Sequence, residues 1–150
     1  MSKKLMGILL GLCVLTCPIQ SEAHERQCPQ PIEISCEEAQ LLMQIASAEA
    51  LDQGIDGMRF VMSVVINRTK DPAYPDDIRS VIFQPHQFYT AGMKTAEITP
   101  EVHMALAELE MGSLTPSIIA FETVSNNALD VYFTEAFSYR DHCFYTSKIN

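Results

Sequence analysis

Apolar residues recur at helical spacing from Cys36 to about Ala50. Leu42 and Ile45 stand at i and i+3 of one stripe, and Leu41, Ala46 and Ala48 widen it. Ser35 followed by Glu38 fits a capping box and opens this helix. Gly54 and Gly57 punctuate a corner, with Asp56 as N-cap of a second helix from Gly57 to about Thr69. That helix contains "FVMSVVI", apolar almost all round, which predicts burial in the middle of a domain. "KDPAYP" reads as a loop, and Pro75 or Asp76 starts a short helix through Val81 and Ile82. After the loop "FQPHQFYTAGM", Thr99-Pro100-Glu101 begins a helix, "EVHMALAELEM", that stops at Gly112. Beyond it the helical period fades. "AFETV", "DVYFTEAFSY" and "HCFYT" are short runs of β-branched and aromatic residues, suited to a small sheet. No repeat or second domain is visible, so the pattern predicts one mostly helical α+β domain over 36–150, with a small β element toward the C-terminus.

One residue breaks the pattern. Glu49 falls at i+7 of the Leu42 stripe, where an apolar side chain is expected. Turned inward, the carboxylate loses hydration and its pKa rises. An acid poised nearer neutrality suits proton donation to a glycosidic oxygen. Turned outward at the helix end, it is an ordinary solvated group, and periodicity leaves both readings open. The remaining acids have plainer explanations. Glu37, Glu38, Asp52, Asp56, Asp76 and Asp77 read as caps or first-turn carboxylates, and Glu108 and Glu110 as a solvated face. His86, His103 and His142 are dispersed without metal-ligand spacing, no G-x-S-x-G is present, and no cofactor is implied.

The ends add a compartment. "MSKKLMGILLGLCVLTCPIQSEA" has Lys3 and Lys4 ahead of an apolar run, then small residues at Ser21 and Ala23, the layout of a secretory signal peptide over 1–23. The run is too short to span a bilayer, which takes about 20 residues. Cys17 in "VLTC" loosely imitates an acylation site, but Thr16 is a poor residue before such a cysteine. Residues 24–35, polar with two prolines, read as an extended arm. An exported, periplasmic or secreted protein is expected, with no membrane span after cleavage. Once the leader is removed, Cys28, Cys36 and Cys143 remain, enough for one disulfide in any of three pairings. A zinc site is disfavoured because no C-x-x-C spacing occurs. The formal net charge of −9 argues against nucleic acid and against anionic membranes as partners.

The order of motifs carries a resemblance. "AEA" at 48–50, Gly57, "VVINR" at 64–68 and "DPAYPDDIRSVIFQPHQF" at 71–88 are followed by "NALDVYF" and "HCFY". In this order and spacing they resemble the cell-wall hydrolase family that includes the spore cortex-lytic enzymes, over about residues 38–146. The resemblance implies a lysozyme-like fold acting on the glycan strands of peptidoglycan, as lytic transglycosylase or muramidase. It implies that Glu49 is the general acid and base, and that Gln87, Phe88 and Tyr89 line the cleft. Asn67, Arg68, His142 and Tyr145 are further positions it marks; helix-end capping and packing explain them equally well. The chain departs from the family at Ser47, where an aromatic is usual, at Leu51-Asp52-Gln53 in place of R-G-E, and at Met58 in place of glutamine. Those departures raise an alternative: a protein that keeps the fold but only binds peptidoglycan or an envelope protein partner. An amidase is disfavoured by the missing zinc ligands.

Overall fold

The computed structural model of the chain describes residues 30–126 and 128–148. The leader at 1–23, Cys28 and the rest of the arm before residue 30 lie outside the described residues. The described part of the arm runs without regular structure, Ile32 donating its N–H to the Glu110 carbonyl at 3.0 Å.

The first helix, α1, spans Cys36–Ala50 and begins with the expected capping box. Ser35 N–H donates to Glu38 Oε2 at 2.9 Å, and Glu38 N–H donates to Ser35 Oγ at 3.4 Å. A single 3-10 turn over Leu51–Gln53 leads directly into α2, Gly54–Arg68. The second helix thus starts three residues earlier than the glycine pattern implies. Gly54 takes φ +73, and a Cβ there would sit 3.2 Å from the Arg140 guanidinium, so the corner needs glycine. Asp56 is not the N-cap; it lies inside the first turn and pairs with Arg59 at 2.7 Å. The short helix α3 runs Ile78–Ile82 with Asp77 as its cap, and α4 runs Pro100–Glu110 with Thr99 as its cap.

As its composition requires, α2 is central. Met58, Val61, Met62 and Val65 are buried in the core that α1, α3 and α4 share, while Val64 meets Ile118 and Phe144 under the sheet. Its polar residues hold the 113–119 segment, which precedes the sheet. Arg59 Nη1 donates to Ser113 O at 2.7 Å, and Ser63 Oγ accepts from Thr115 N–H at 3.2 Å. Asn67 donates to Thr115 O at 2.8 Å and to Ile118 O at 2.9 Å, and Arg68 Nε to Ile119 O at 2.6 Å. Buried carbonyls left unpaired are costly, so one helix supplies donors to a whole segment.

The sheet is antiparallel, in the order β1 (Ala120–Thr123), β3 (His142–Ser147), β2 (Phe133–Tyr139). "DVYFTEAFSY" is not one strand: Leu129–Val131 forms a 3-10 turn before β2 begins. In the register, Thr123 faces His142 and Glu122 faces Cys143, so the end of β1 and the start of β3 meet at one edge of the molecule. Among the described residues neither Cys36, exposed on α1, nor Cys143, buried in β3, has a disulfide partner. The bridge between those two is therefore not formed, and pairings of Cys28 lie outside the described residues. No helix among the described residues is long and apolar enough to cross a membrane.

Candidate active site

The end of α1, the loop at 86–89, the end of β1 with Asn126, and the start of β3 enclose an open cleft of about 480 Å³. Glu49 stands on one wall. Helical periodicity carries it to the edge of the core, half-buried, beside the fully buried Ala50. Burial pushes its carboxyl above the ordinary glutamate range, and a hydrogen bond from the Tyr89 backbone N–H to Oε1 opposes that in part. The structure sets it between the two alternatives that the sequence leaves open, at the margin of the core and on the cleft wall.

The loop at 86–89 is the floor and near wall. His86, Gln87 and Tyr89 are exposed and Phe88 is half-buried, all four lining the cleft with Glu49. The Tyr89 ring folds back over Gly92, where a Cβ would come within 2.6 Å of it. Phe88 packs toward Phe121 of the opposite wall, ring centroids 6.1 Å apart.

His142 lines the far wall. Its ring contacts Phe121 at 5.4 Å, and Nδ1 is buried with no hydrogen-bond partner among the described residues. Burial lowers its pKa, against the opposing charges of Asp52 and Asp141, so the imidazole is largely neutral at pH 7.

Three of the marked residues, Asn67, Arg68 and Tyr145, are elsewhere. Asn67 does not line the cleft; both of its amide hydrogens are committed to the carbonyls of Thr115 and Ile118. Tyr145 is fully buried in β3 and does not line it either. Its hydroxyl donates to Glu122 Oε1 at 2.8 Å, and burial together with that carboxylate pushes its pKa up. Asn67 and Tyr145 thus bond to the protein itself and are absent from the cleft lining.

Glu122 is the residue the sequence reading passes over. It lines the cleft from β1, yet its oxygens are occupied: Oε1 accepts from Leu129 N–H at 3.0 Å and from Tyr145, and Oε2 from Ala128 N–H at 3.1 Å. A lone acid inside the apolar run "AFETV" is the same anomaly that exposes Glu49, and it marks the position. No group of three or more His, Cys, Asp or Glu among the described residues is placed to hold a metal.

The departures from the family pattern fall mostly outside the cleft. Met58 is fully buried in the core and Ser47 is buried in α1. Gln53 is a buried clamp: its Oε1 accepts from Asp141 N–H at 3.1 Å and its Nε2 donates to Asp141 Oδ2 at 3.4 Å. It ties the corner after Glu49 to the turn before His142, and Arg140 adds a bond to the Asp52 carbonyl at 2.9 Å.

Comparison with known proteins agrees with this architecture. The family model described as Cell Wall Hydrolase matches residues 52–145, a stretch that begins just after Glu49. The catalytic domain of the germination-specific lytic transglycosylase SleB from Bacillus anthracis superposes with TM-score 0.66 at 15% identity, covering 78% of this chain and 100% of that one. The catalytic domain of the Bacillus cereus SleB protein does so with TM-score 0.66 at 16% identity, covering 80% and 98%. At such identity the likeness is one of fold, and it bears out the expected lysozyme-like α+β domain. No curated protein matches the sequence.

Proposed function

The chain belongs to the cell wall hydrolase family, and from that premise we propose that it cleaves peptidoglycan glycan strands as a lytic transglycosylase, with Glu49 as the only proton-transfer group. The observation that carries this reading is a half-buried carboxyl, lifted toward neutrality by desolvation, on the wall of an open cleft. Protonated Glu49 gives its proton to the oxygen between N-acetylmuramic acid and N-acetylglucosamine as that bond breaks. The resulting carboxylate then takes the proton of the muramyl C6 hydroxyl while its oxygen closes on C1. One group acts twice, and the product is a 1,6-anhydro end.

Glu122 favours this route over hydrolysis. A hydrolytic mechanism needs a second carboxylate free to activate water or to attack the sugar. The only other acid lining the cleft among the described residues accepts three hydrogen bonds from the protein itself, which holds it as a strut. Gln87, Tyr89 and the neutral His142 supply polar edges against which the sugars align. Ser47, Gln53 and Met58, where the chain departs from the family pattern, are buried and do not line the cleft. The signal-peptide layout read at 1–23 supports a location outside the cytoplasm, in the periplasm or secreted, where peptidoglycan lies.

Mass spectrometry of purified peptidoglycan after digestion tests the reading. Anhydro-muramyl ends are expected, and Glu49→Gln should release none. Reducing ends would assign a muramidase instead, and full activity of Glu49→Gln would remove Glu49 from the mechanism.

A further inference from the structure

The geometry points to Arg68 as a positioning residue that fixes the spacing of the two cleft walls, and through them the setting of Glu49. Arg68 ends α2 and is 5% exposed, yet no carboxylate among the described residues pairs with it. Its guanidinium carbon lies 4.9 Å from the ring centroid of Phe88 and 4.9 Å from that of Tyr74, so the planar cation stacks on both rings. Nε donates to the Ile119 carbonyl at 2.6 Å, and Nη1 is buried with no hydrogen-bond partner among the described residues.

This arrangement is a poor bargain for stability alone. Desolvating a cation without an anion is costly, and an apolar residue of similar volume is often neutral or stabilising at such a site. What the guanidinium supplies and an apolar side chain does not is simultaneous, directional contact with both walls. Phe88 is the residue before Tyr89, whose backbone N–H holds Glu49. Ile119 immediately precedes β1, which delivers Phe121, Glu122 and Thr123 to the opposite wall. One rigid group thus sets the loop that orients the acid and the strand that faces it. Lysine cannot replace it, because an ammonium has neither the plane nor the Nε donor.

The inference rests on Glu49 being the acid, and its test separates the two. Arg68→Met keeps most of the volume and removes the planar charge; it should fold with a melting temperature close to that of the wild type. Turnover of soluble glycan-strand fragments should fall roughly 10- to 100-fold, the scale of a small misplacement of reacting groups, with KM little changed. In 1H–15N spectra the Tyr89 amide should move upfield as its bond to Glu49 lengthens. A folded variant with wild-type turnover and an unmoved Tyr89 amide overturns the proposal. If Arg68→Met does not fold, Arg68→Lys, which keeps the charge but not the stack, is judged by the same two readouts. A Tyr89 amide that shifts in the Arg68 variant while Glu49→Gln retains full turnover refutes the catalytic reading and leaves the positioning role standing.

Discussion

Replacing Glu49 by glutamine should exchange catalysis for stability, with a pH signature set by burial. Glutamine has nearly the same volume, and its Oε1 still accepts the Tyr89 N–H, so packing is conserved. The difference is ionisation. Desolvation lifts the Glu49 carboxyl, so the folded protein holds that proton more tightly than the unfolded chain does. Below the unfolded-state value, about 4.3, both states are protonated and the carboxyl costs the fold nothing. As pH rises through the raised folded value, the wild type must bury a charge and loses stability; the variant does not. The gap therefore opens from about pH 4 upward, across that window, and stays constant above it. Single stabilising substitutions commonly contribute about 0.5–2 kcal/mol, and the gap should fall within that range. For a domain of this size, 1 kcal/mol is roughly 2–4 °C in Tm. Urea melts of both proteins at pH 4 and pH 7.5, with clearing of purified wall followed in parallel, measure the two sides. Clearing should drop by about 10²- to 10⁴-fold, the usual contribution of general acid catalysis. Equal stabilities at pH 7.5, or a gap that widens toward acid, would show that the carboxyl is not desolvated and refute the reasoning.

Three further outcomes follow from the walls of the cleft. Tyr145→Phe removes a buried hydrogen bond to a carboxylate and should destabilise by about 1.5–3 kcal/mol in urea titration, with KM for glycan fragments unchanged. A raised KM at full stability would return Tyr145 to the substrate. Gln53→Ala breaks the clamp on Asp141 and opens a small void; a loss of about 2–3 kcal/mol is expected, with turnover reduced because His142 follows that turn. Thermal melts and fragment kinetics report both. Gly92→Ala drives a Cβ into the Tyr89 ring, which is 62% exposed and free to swing out. Stability should change by less than about 1 kcal/mol while clearing slows, since surface changes rarely exceed that; unchanged clearing would show that the ring's seat is irrelevant to Glu49.

The family resemblance reads in a string of motifs, but the roles inside it divide by distance along the chain. The resemblance marks Asn67 and Tyr145, and in the fold their side chains hydrogen-bond to the protein itself. Both are polar residues whose partners, Thr115 with Ile118 and Glu122, are brought to them only by folding. Glu122 is not legible in the sequence for the converse reason. Nothing local shows that Ala128, Leu129 and Tyr145 converge on it. The departures at Gln53 and Met58 looked like losses from a site, and packing makes one a clamp and the other core.

What the sequence determined by itself is whatever neighbours within a turn or two decide. The capping box at Ser35, the Thr99 and Pro100 start, the buried α2 and the anomaly at Glu49 all rest on contacts a few residues apart, where periodicity and hydrogen-bond geometry leave few choices. Only the tertiary structure decided that Glu49 faces Tyr89, that Gln53 meets Asp141, and that Arg68 lies between the Phe88 loop and Ile119. Each of those meetings costs the entropy of closing a long loop and is repaid by packing of the whole core, so no short stretch carries its signature.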